Sequence, residues 1–384
     1  MKRRVGILKD LLNAKKQEML HFLEQIVNID SGSHIKSGID EISGLLKVKF
    51  ERLGFIVEVV EEKAQGNHLV IQHRDAVQPE IIIIGHMDTV FPEGTAKRRP
   101  FTMKDGRAYG PGVIDMKASL VELIYALTCM KQTGRKGYQN VQIVLNSDEE
   151  LGSPTSRSLI MKQAINKKYA LILEAARPDG SIVTARRGGG QFKVFVEGKA
   201  AHSGIEPEKG HSAIEELAYK VIKLQQLTNH EEGISVNVGL IQGGTAANTV
   251  AAEASAHVDV RISQKKQINP LKEQIEKICT TNYIAGTKTN VVGKIERIPM
   301  EKSEKTEALL SVIKQAGQEL GLTITDTATG GSSDACLTSA MGVATIDGLG
   351  PVGGFFHSEE EYLVISSLLE RTLLLATVIQ KLSE

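Results

Sequence analysis

Apolar positions along the chain follow two periods. Ile7, Leu8, Leu11 and Leu12, then Met19, Leu20, Leu23, Ile26 and Val27, recur at helical spacing and predict one or two amphipathic helices. Residues 42–53 predict another, stopped by Gly54, because glycine reaches the left-handed backbone that closes many helices. Strands are predicted at 55–60, 67–72 and 81–84. The last is an unbroken β-branched run, the pattern of a strand covered on both faces. A helix at 120–130, a strand at 141–146, a helix at 160–167 and a strand at 170–173 continue the alternation. Strands separated by helices predict an α/β sheet covered on both sides.

Near residue 188 the pattern changes. Strands at 191–197, 235–240, 254–262 and 291–298 and helices at 213–227 and 270–281 predict a small α+β insert. Helix then returns at 308–320, with a strand at 343–346 and a last helix at 360–380. The 384 residues exceed what one core usually fills, so two domains are expected. Their expected bounds are 1–187 with 302–384, and 188–301.

Composition narrows the class. Lys plus Arg and Asp plus Glu are 46 each, so no global field favours nucleic acid or an anionic membrane. Hydrophobic residues at 41% exclude a disordered chain. No stretch approaches the ~20 apolar residues of a membrane span. The N-terminal stretch starts basic, but Lys9, Asp10, Lys15 and Lys16 interrupt any signal-peptide core, so a cytoplasmic location is expected. Cys129, Cys279 and Cys336 are too far apart for a metal pair and read as buried thiols.

Candidate chemistry gathers at the ends of the predicted core strands, where open α/β sheets build their sites. His86 and Asp88 share a face if the strand continues through them, and a ligating histidine usually gives its other nitrogen a carboxylate or carbonyl partner. Alone, the pair also suits a surface histidine and a capping aspartate. Asp115 follows Gly110-Pro111-Gly112 and by itself reads equally as a turn residue. Asp148, Glu149 and Glu150 are three acids in a row, which repel unless solvent or a cation neutralises them. Glu174 ends an apolar run, and His357 follows Gly353-Gly354. Together these residues make a mixed nitrogen and oxygen set of the kind zinc accepts. Two ions sharing a carboxylate would activate water, so a metal-dependent hydrolase is the leading reading. Gly330-Gly331-Ser332-Ser333-Asp334-Ala335 lacks the order of a phosphate loop. Gly188-Gly189-Gly190, preceded by Arg186 and Arg187, reads as a domain-junction hinge, with a role near the substrate as the alternative.

In order along the chain, GHMDTVFPEG at 85–94, GPGVIDMKAS at 110–119, NSDEELGS at 146–153, LEAARPDG at 173–180, GKAAHSG at 198–204 and FFHSEEEY at 355–362 resemble the two-metal aminoacylase and carboxypeptidase family often called M20. The resemblance implies a zinc exopeptidase-like catalytic domain, a mixed sheet sandwiched by helices. It further implies that the insert is a lid and dimerisation domain, making the protein a homodimer. It makes His86 and Glu174 ligands of one metal, Glu150 and His357 ligands of the other, and Asp115 the bridge. Two zinc ions are implied, with cobalt or manganese as substitutes. Asp88 would orient His86, and Glu149 would be the general base. His202 would stabilise the oxyanion, in dimers often from the partner chain. A cis peptide is implied between Asp115 and Met116.

On the insert, Asn248 and Arg261 resemble substrate-binding residues; outside it, Gly331 and Ser332 lie in a run that resembles the family's glycine-rich loop facing the substrate's carboxylate. A guanidinium grips a carboxylate through two parallel hydrogen bonds, although Arg261 also suits a strand-end salt bridge. The expected reaction is amide hydrolysis of a small peptide or N-acyl amino acid. A glutamate-carboxypeptidase-like exopeptidase is the main reading. A deacylase of the acetylornithine or succinyl-diaminopimelate type is the alternative. A catalytically inert metal-binding scaffold would have lost a ligand or the base, and none is missing.

Overall fold

A computed structural model describes residues 2–384, with side chains from residue 6 onward. The basic side chains at the start of the chain therefore lie outside the described residues. Contacts divide the chain into two compact units. The first comprises residues 1–185, 302–328 and 333–384, and the second residues 186–301 and 329–332.

The first unit is built on a six-stranded mixed sheet. Its order is Phe55–Val60, His68–His73, Val141–Asn146, Ile81–His86, Tyr169–Ile172 and Ala344–Ile346. Only His68–His73 runs against the other five. Ile81, Ile82, Ile83 and Ile84 are fully buried, as an unbroken β-branched run requires. Helices including Lys36–Leu53, Ala118–Gln132, Glu304–Leu320 and Ile365–Leu382 enclose the sheet, and their apolar faces form one continuous core with it. Lys36–Leu53 ends at Gly54, whose φ of 97° is the left-handed cap expected there.

The parallel strands Val141–Asn146, Ile81–His86, Tyr169–Ile172 and Ala344–Ile346 place their C-terminal ends along one edge. Residues 86–88, 147–150 and 174 therefore emerge side by side. A second sheet joins Thr102–Lys104, Arg107–Tyr109, Tyr362–Val364, Gly350–Gly354 and Ala175–Ala176.

The last helix starts at Ile365, not at 360. Tyr362, Leu363 and Val364 pair instead with Tyr109, Ala108 and Arg107, and the buried Glu361 carboxylate turns back onto the main chain of residues 112–115. These partners outweigh the helical spacing of the segment.

The second unit is a four-stranded antiparallel sheet ordered Ser235–Gly243, Glu253–Ile262, Gly188–Glu197 and Lys288–Arg297. Ala213–Gln225 and Ile268–Thr280 pack on it over a core that includes Phe192, Val194, Val196, Val258 and Val260. The triple glycine at 188–190 opens a strand just after the boundary between the units at 185/186; Gly188 pairs with Ile262, and Gly189 and Gly190 pair on both sides. A Cβ at Gly189 would lie 2.6 Å from the Val260 carbonyl, so close main-chain approach is what calls for glycine.

All three cysteines are buried thiols, outside any disulfide. Burial pushes the Cys129 and Cys279 thiols up to about 11, so neither supplies thiolate at neutral pH. The folded protein is expected to resist iodoacetamide at pH 7.5 and to react at both positions once unfolded. Mass spectrometry of the labelled chain checks this, and rapid labelling of the folded protein would contradict it.

Candidate metal centre

The strand Ile81–His86 ends on His86, and Asp88 lies in the loop beyond it. Asp88 therefore meets the His86 ring from the loop and not from a shared strand face. His86 Nδ1 lies 2.9 Å from the Asp88 main-chain carbonyl. A carbonyl only accepts, so Nδ1 carries a proton, and whenever the ring is neutral its lone pair lies on Nε2, facing Asp115. The Asp88 carboxylate lies 3.4 Å from the same nitrogen but is mainly engaged elsewhere. It accepts from Ser33 Oγ at 2.7 Å and from the main-chain N–H groups of Glu149 and Glu150 at 3.2 Å each. Asp88 thus ties the loop carrying both glutamates to the strand carrying His86.

The three consecutive acids divide their roles. Asp148 is fully buried and accepts from Thr155 N at 2.6 Å, Thr155 Oγ1 at 2.8 Å, Ser156 N at 3.1 Å and Ser156 Oγ at 2.5 Å. It closes the loop on itself. Asn146 Nδ2 and Ser153 Oγ both donate to Asp334, which anchors the same loop a second time. Glu149 and Glu150, both partly buried, complete the row.

Asp115 sits in an irregular turn, Val113–Lys117, entered through Gly112 at φ 71°. A Cβ on Gly112 would lie 2.5 Å from the Thr89 methyl, so only glycine fits this entry. The peptide between Asp115 and Met116 is cis. The two Asp115 oxygens point to different histidines, Oδ1 to His86 Nε2 and Oδ2 to His357 Nε2, each at 3.2 Å. His357 Nε2 is also 3.3 Å from Glu150 Oε2, and His86 Nε2 is 3.7 Å from Glu174 Oε1. Two overlapping groups bring ligand atoms within 4.8 Å of one another. One is His86 with Asp115 and Glu150, and the other His86 with Glu149 and Glu174. Glu150 Oε1 is buried with no hydrogen-bond partner among the described residues. A buried carboxylate oxygen without a donor, set among imidazoles and acids, is what a cation site needs. The donor set fits two divalent ions.

The electrostatics agree. Burial works against charge on His86, yet hydrogen bonding to Asp115 and Asp88, with Glu174 nearby, raises its pKa well above the ordinary value. Hydrogen bonds to Asp115 and Glu150 raise His357 to about 10. Burial would raise Asp115, but bonds from His357 and His86 hold it below the usual carboxylate range. Burial raises Glu150, with the His357 bond opposing and the Asp115 charge adding.

The sequence reading gave no separate role to Asp148, Lys117 or Glu361. Lys117 is buried and donates to the Ile29 carbonyl at 2.9 Å; burial pushes it down to about 7 against the charges of Glu361 and Asp30. Burial pushes Glu361 up to about 7 while three main-chain donors oppose. The available signal was the third acid of Glu359-Glu360-Glu361, the one that is buried.

The remaining predicted residues lie in the second unit. His202 is exposed and bridged to Thr249, and the neighbouring Ser203 N–H donates to the Asn248 carbonyl. Gly204 N–H donates to His202 Nδ1 at 3.1 Å, which leaves the proton of the neutral ring on Nε2, where it can be donated. Arg261 is already paired, donating from Nε and Nη2 to Asp259 at 2.9 and 3.2 Å. The Gly331 carbonyl accepts from Arg186, and Ser332 Oγ accepts from Arg297 at 2.7 Å.

This fold and this cluster define a metal-dependent hydrolase. The chain belongs to Peptidase family M20/M25/M40, whose model matches residues 82–381. Carboxypeptidase G2 from a Pseudomonas species is 26% identical over 388 residues, covering 99% of this chain and 93% of that protein. Acetylornithine deacetylase from Vibrio campbellii is 30% identical over 266 residues, covering 62% of this chain and 68% of that protein. Aminopeptidase PepT from Bacillus cereus superposes with a TM-score of 0.81 at 23% identity, over 96% of this chain and 99% of that one. The protein acts on amino-acid or peptide substrates. No helix among the described residues is long and apolar enough to cross a membrane.

Proposed function

We propose that the chain hydrolyses the amide bond of N-acyl amino acids, releasing an amino acid with a free carboxylate, as a two-zinc deacylase. The observation that carries this is the convergence of His86, Asp115, Glu150 and His357 through contacts of 3.2–3.3 Å, with Glu174 and Glu149 beside them. In this reading Asp115 would be shared between two ions, His86 and Glu174 would complete one site, and Glu150 and His357 would complete the other. Cobalt or manganese would suit the same donors. The chemistry a bound pair supplies is carbonyl polarisation and a water acidified toward neutrality. Glu149 takes the proton of the attacking water and returns it to the leaving amine. Asp88 holds residues 149 and 150 in register with His86. His202 donates to the oxyanion from Nε2. Asn248, Gly331 and Ser332 bind substrate.

The likeness to acetylornithine deacetylase supports the deacylase form, as does the Asp259 pairing that occupies Arg261. The likeness to Carboxypeptidase G2 over nearly the whole chain favours a second reading, a glutamate-carboxypeptidase-like exopeptidase with Arg261 on the substrate carboxylate. Zinc-loaded protein assayed with acetylornithine, N-succinyl amino acids and C-terminal glutamyl peptides separates them. Turnover of the acylated amino acids supports the first, and turnover of the peptides alone rejects it. His202→Ala is expected to lower kcat about 10²–10³-fold with metal content unchanged. Homodimerisation in the cytoplasm belongs to the same reading, and an isolated monomer with full activity would contradict it.

Metal loading should release protons. Carboxylate neighbours raise the pKa of both His86 and His357 and so favour their charged forms in the metal-free protein, and an imidazole must be neutral to ligate. Apparent affinity should therefore rise with pH toward about 10, the His357 value. The metal-free fold shows the opposite sign: the contribution of His357, complete below 6.5, is lost as pH rises toward about 10. Calorimetry in two buffers of different ionisation enthalpy measures the protons released. Binding at pH 7 with none released would contradict the prediction.

A further inference from the structure

We propose that Glu361 is a positioning residue that clamps the main chain beneath Asp115 so that one carboxylate can serve two ions. The inference rests on the ligand reading above and adds a residue that coordinates nothing itself. Glu359, Glu360 and Glu361 follow His357 in sequence, but only Glu361 is buried; the first two are exposed. Glu361 Oε2 accepts from Gly112 N–H at 3.0 Å, and Oε1 accepts from Ile114 N–H at 3.0 Å and Asp115 N–H at 3.1 Å. Three main-chain N–H groups from one short turn thus converge on a single carboxylate about 250 residues away, an anion-binding concavity filled from within the fold.

The turn needs such a partner. It is entered through two glycines, Gly110 and Gly112, both at positive φ, and glycine leaves the free chain many conformations. Yet Asp115 must aim Oδ1 and Oδ2 at two different histidines, both at 3.2 Å. Metal-site geometry tolerates errors of only about 0.5 Å. The same segment that supplies His357 supplies Glu361, so the clamp and one terminal ligand stay in register. A carboxylate is required because it only accepts. The amide of Gln keeps one oxygen but turns an NH₂ group toward a main-chain N–H, and at least one of the three bonds is lost.

The test uses full-length protein loaded with Mn²⁺ alone. Wild type and Glu360→Gln are expected to hold two ions per chain with spin coupling visible by electron paramagnetic resonance. Glu361→Gln is expected to bind the second ion at least tenfold more weakly and to lose the coupling. Two ions with unchanged affinity and coupling in Glu361→Gln would overturn the proposal. Hydrogen exchange of the metal-free proteins is an independent arm. Faster exchange across residues 112–115 in Glu361→Gln than in Glu360→Gln sustains the clamp, and equal exchange overturns it. This arm decides Glu361 even if wild type binds fewer than two ions, a result that fails the ligand reading itself. If Glu361→Gln does not fold, wild-type exchange decides: protected amides at 112, 114 and 115 sustain the clamp, and unprotected ones overturn it.

Discussion

Glu149→Ala is expected to retain both metal ions and to lose about 10²–10⁴-fold in kcat, the range a positioned general base contributes. The loop should survive the truncation because Asp88 holds the main-chain N–H of residue 149, not its side chain. Asp148 closes the loop through four bonds that do not involve residue 149, and Asp334 anchors it again. Geometry alone also allows Glu149 as a ligand, since its carboxylate gathers with His86 and Glu174. The variant separates these roles. Turnover lost with two ions retained makes Glu149 the base. Loss of an ion makes it a ligand, and near-normal turnover removes it from both roles. Metal content per chain and kcat on one sample decide.

The largest stability loss is expected at Lys220, far in sequence from the metal ligands. Lys220 and Glu216 are both fully buried in the second unit, with Nζ 2.7 Å from the carboxylate. Lys220 also donates to the Ile278, Cys279 and Thr281 carbonyls at 3.2, 2.9 and 2.7 Å, closing the end of the helix Ile268–Thr280. Glu216 in turn accepts from Tyr283 and Ile284 N–H at 2.8 and 2.6 Å. Removing one partner of a buried ion pair strands the other, at a cost of about 3–5 kcal/mol. Lys220→Met should lose about that much. The double variant Glu216→Leu/Lys220→Met removes the stranded charge but leaves main-chain groups unpaired at ~1–3 kcal/mol each, so it should recover only part of the loss. Urea unfolding followed by circular dichroism checks both, and a loss below ~1 kcal/mol in the single variant would contradict the prediction.

Long, strongly patterned elements were legible in the sequence. The strands Phe55–Val60 and Val141–Asn146 have the bounds their apolar runs predict, and the buried run from Ile81 continues two residues past Ile84 to His86. The second sheet of the first unit was not legible. Thr102–Lys104, Arg107–Tyr109 and Ala175–Ala176 are too short to show a period, and Gly350–Gly354 is mostly glycine. For the same reason 360–364 read as helix: its strand partner, Arg107–Tyr109, was itself invisible.

At the site, the residues with distinctive chemistry and spacing were readable. The buried acceptors that hold them were not, because their partners are main-chain N–H groups that no side-chain pattern reveals. Asp148 looked like one of three equivalent acids until its four donors were seen. Asp88 meets the His86 ring through its carbonyl at 2.9 Å and its carboxylate at 3.4 Å, but no side-chain pattern reveals that the carboxylate also holds the Glu149–Glu150 main chain.

The central claim is that these side chains hold a pair of divalent ions across Asp115. A crystal structure of the zinc-loaded protein, with an anomalous difference map at the zinc edge, tests it most directly. The account predicts two peaks ~3.5–4 Å apart, one beside His86 and Glu174, the other beside Glu150 and His357, with Asp115 between them. A single peak, or peaks away from these residues, would contradict it.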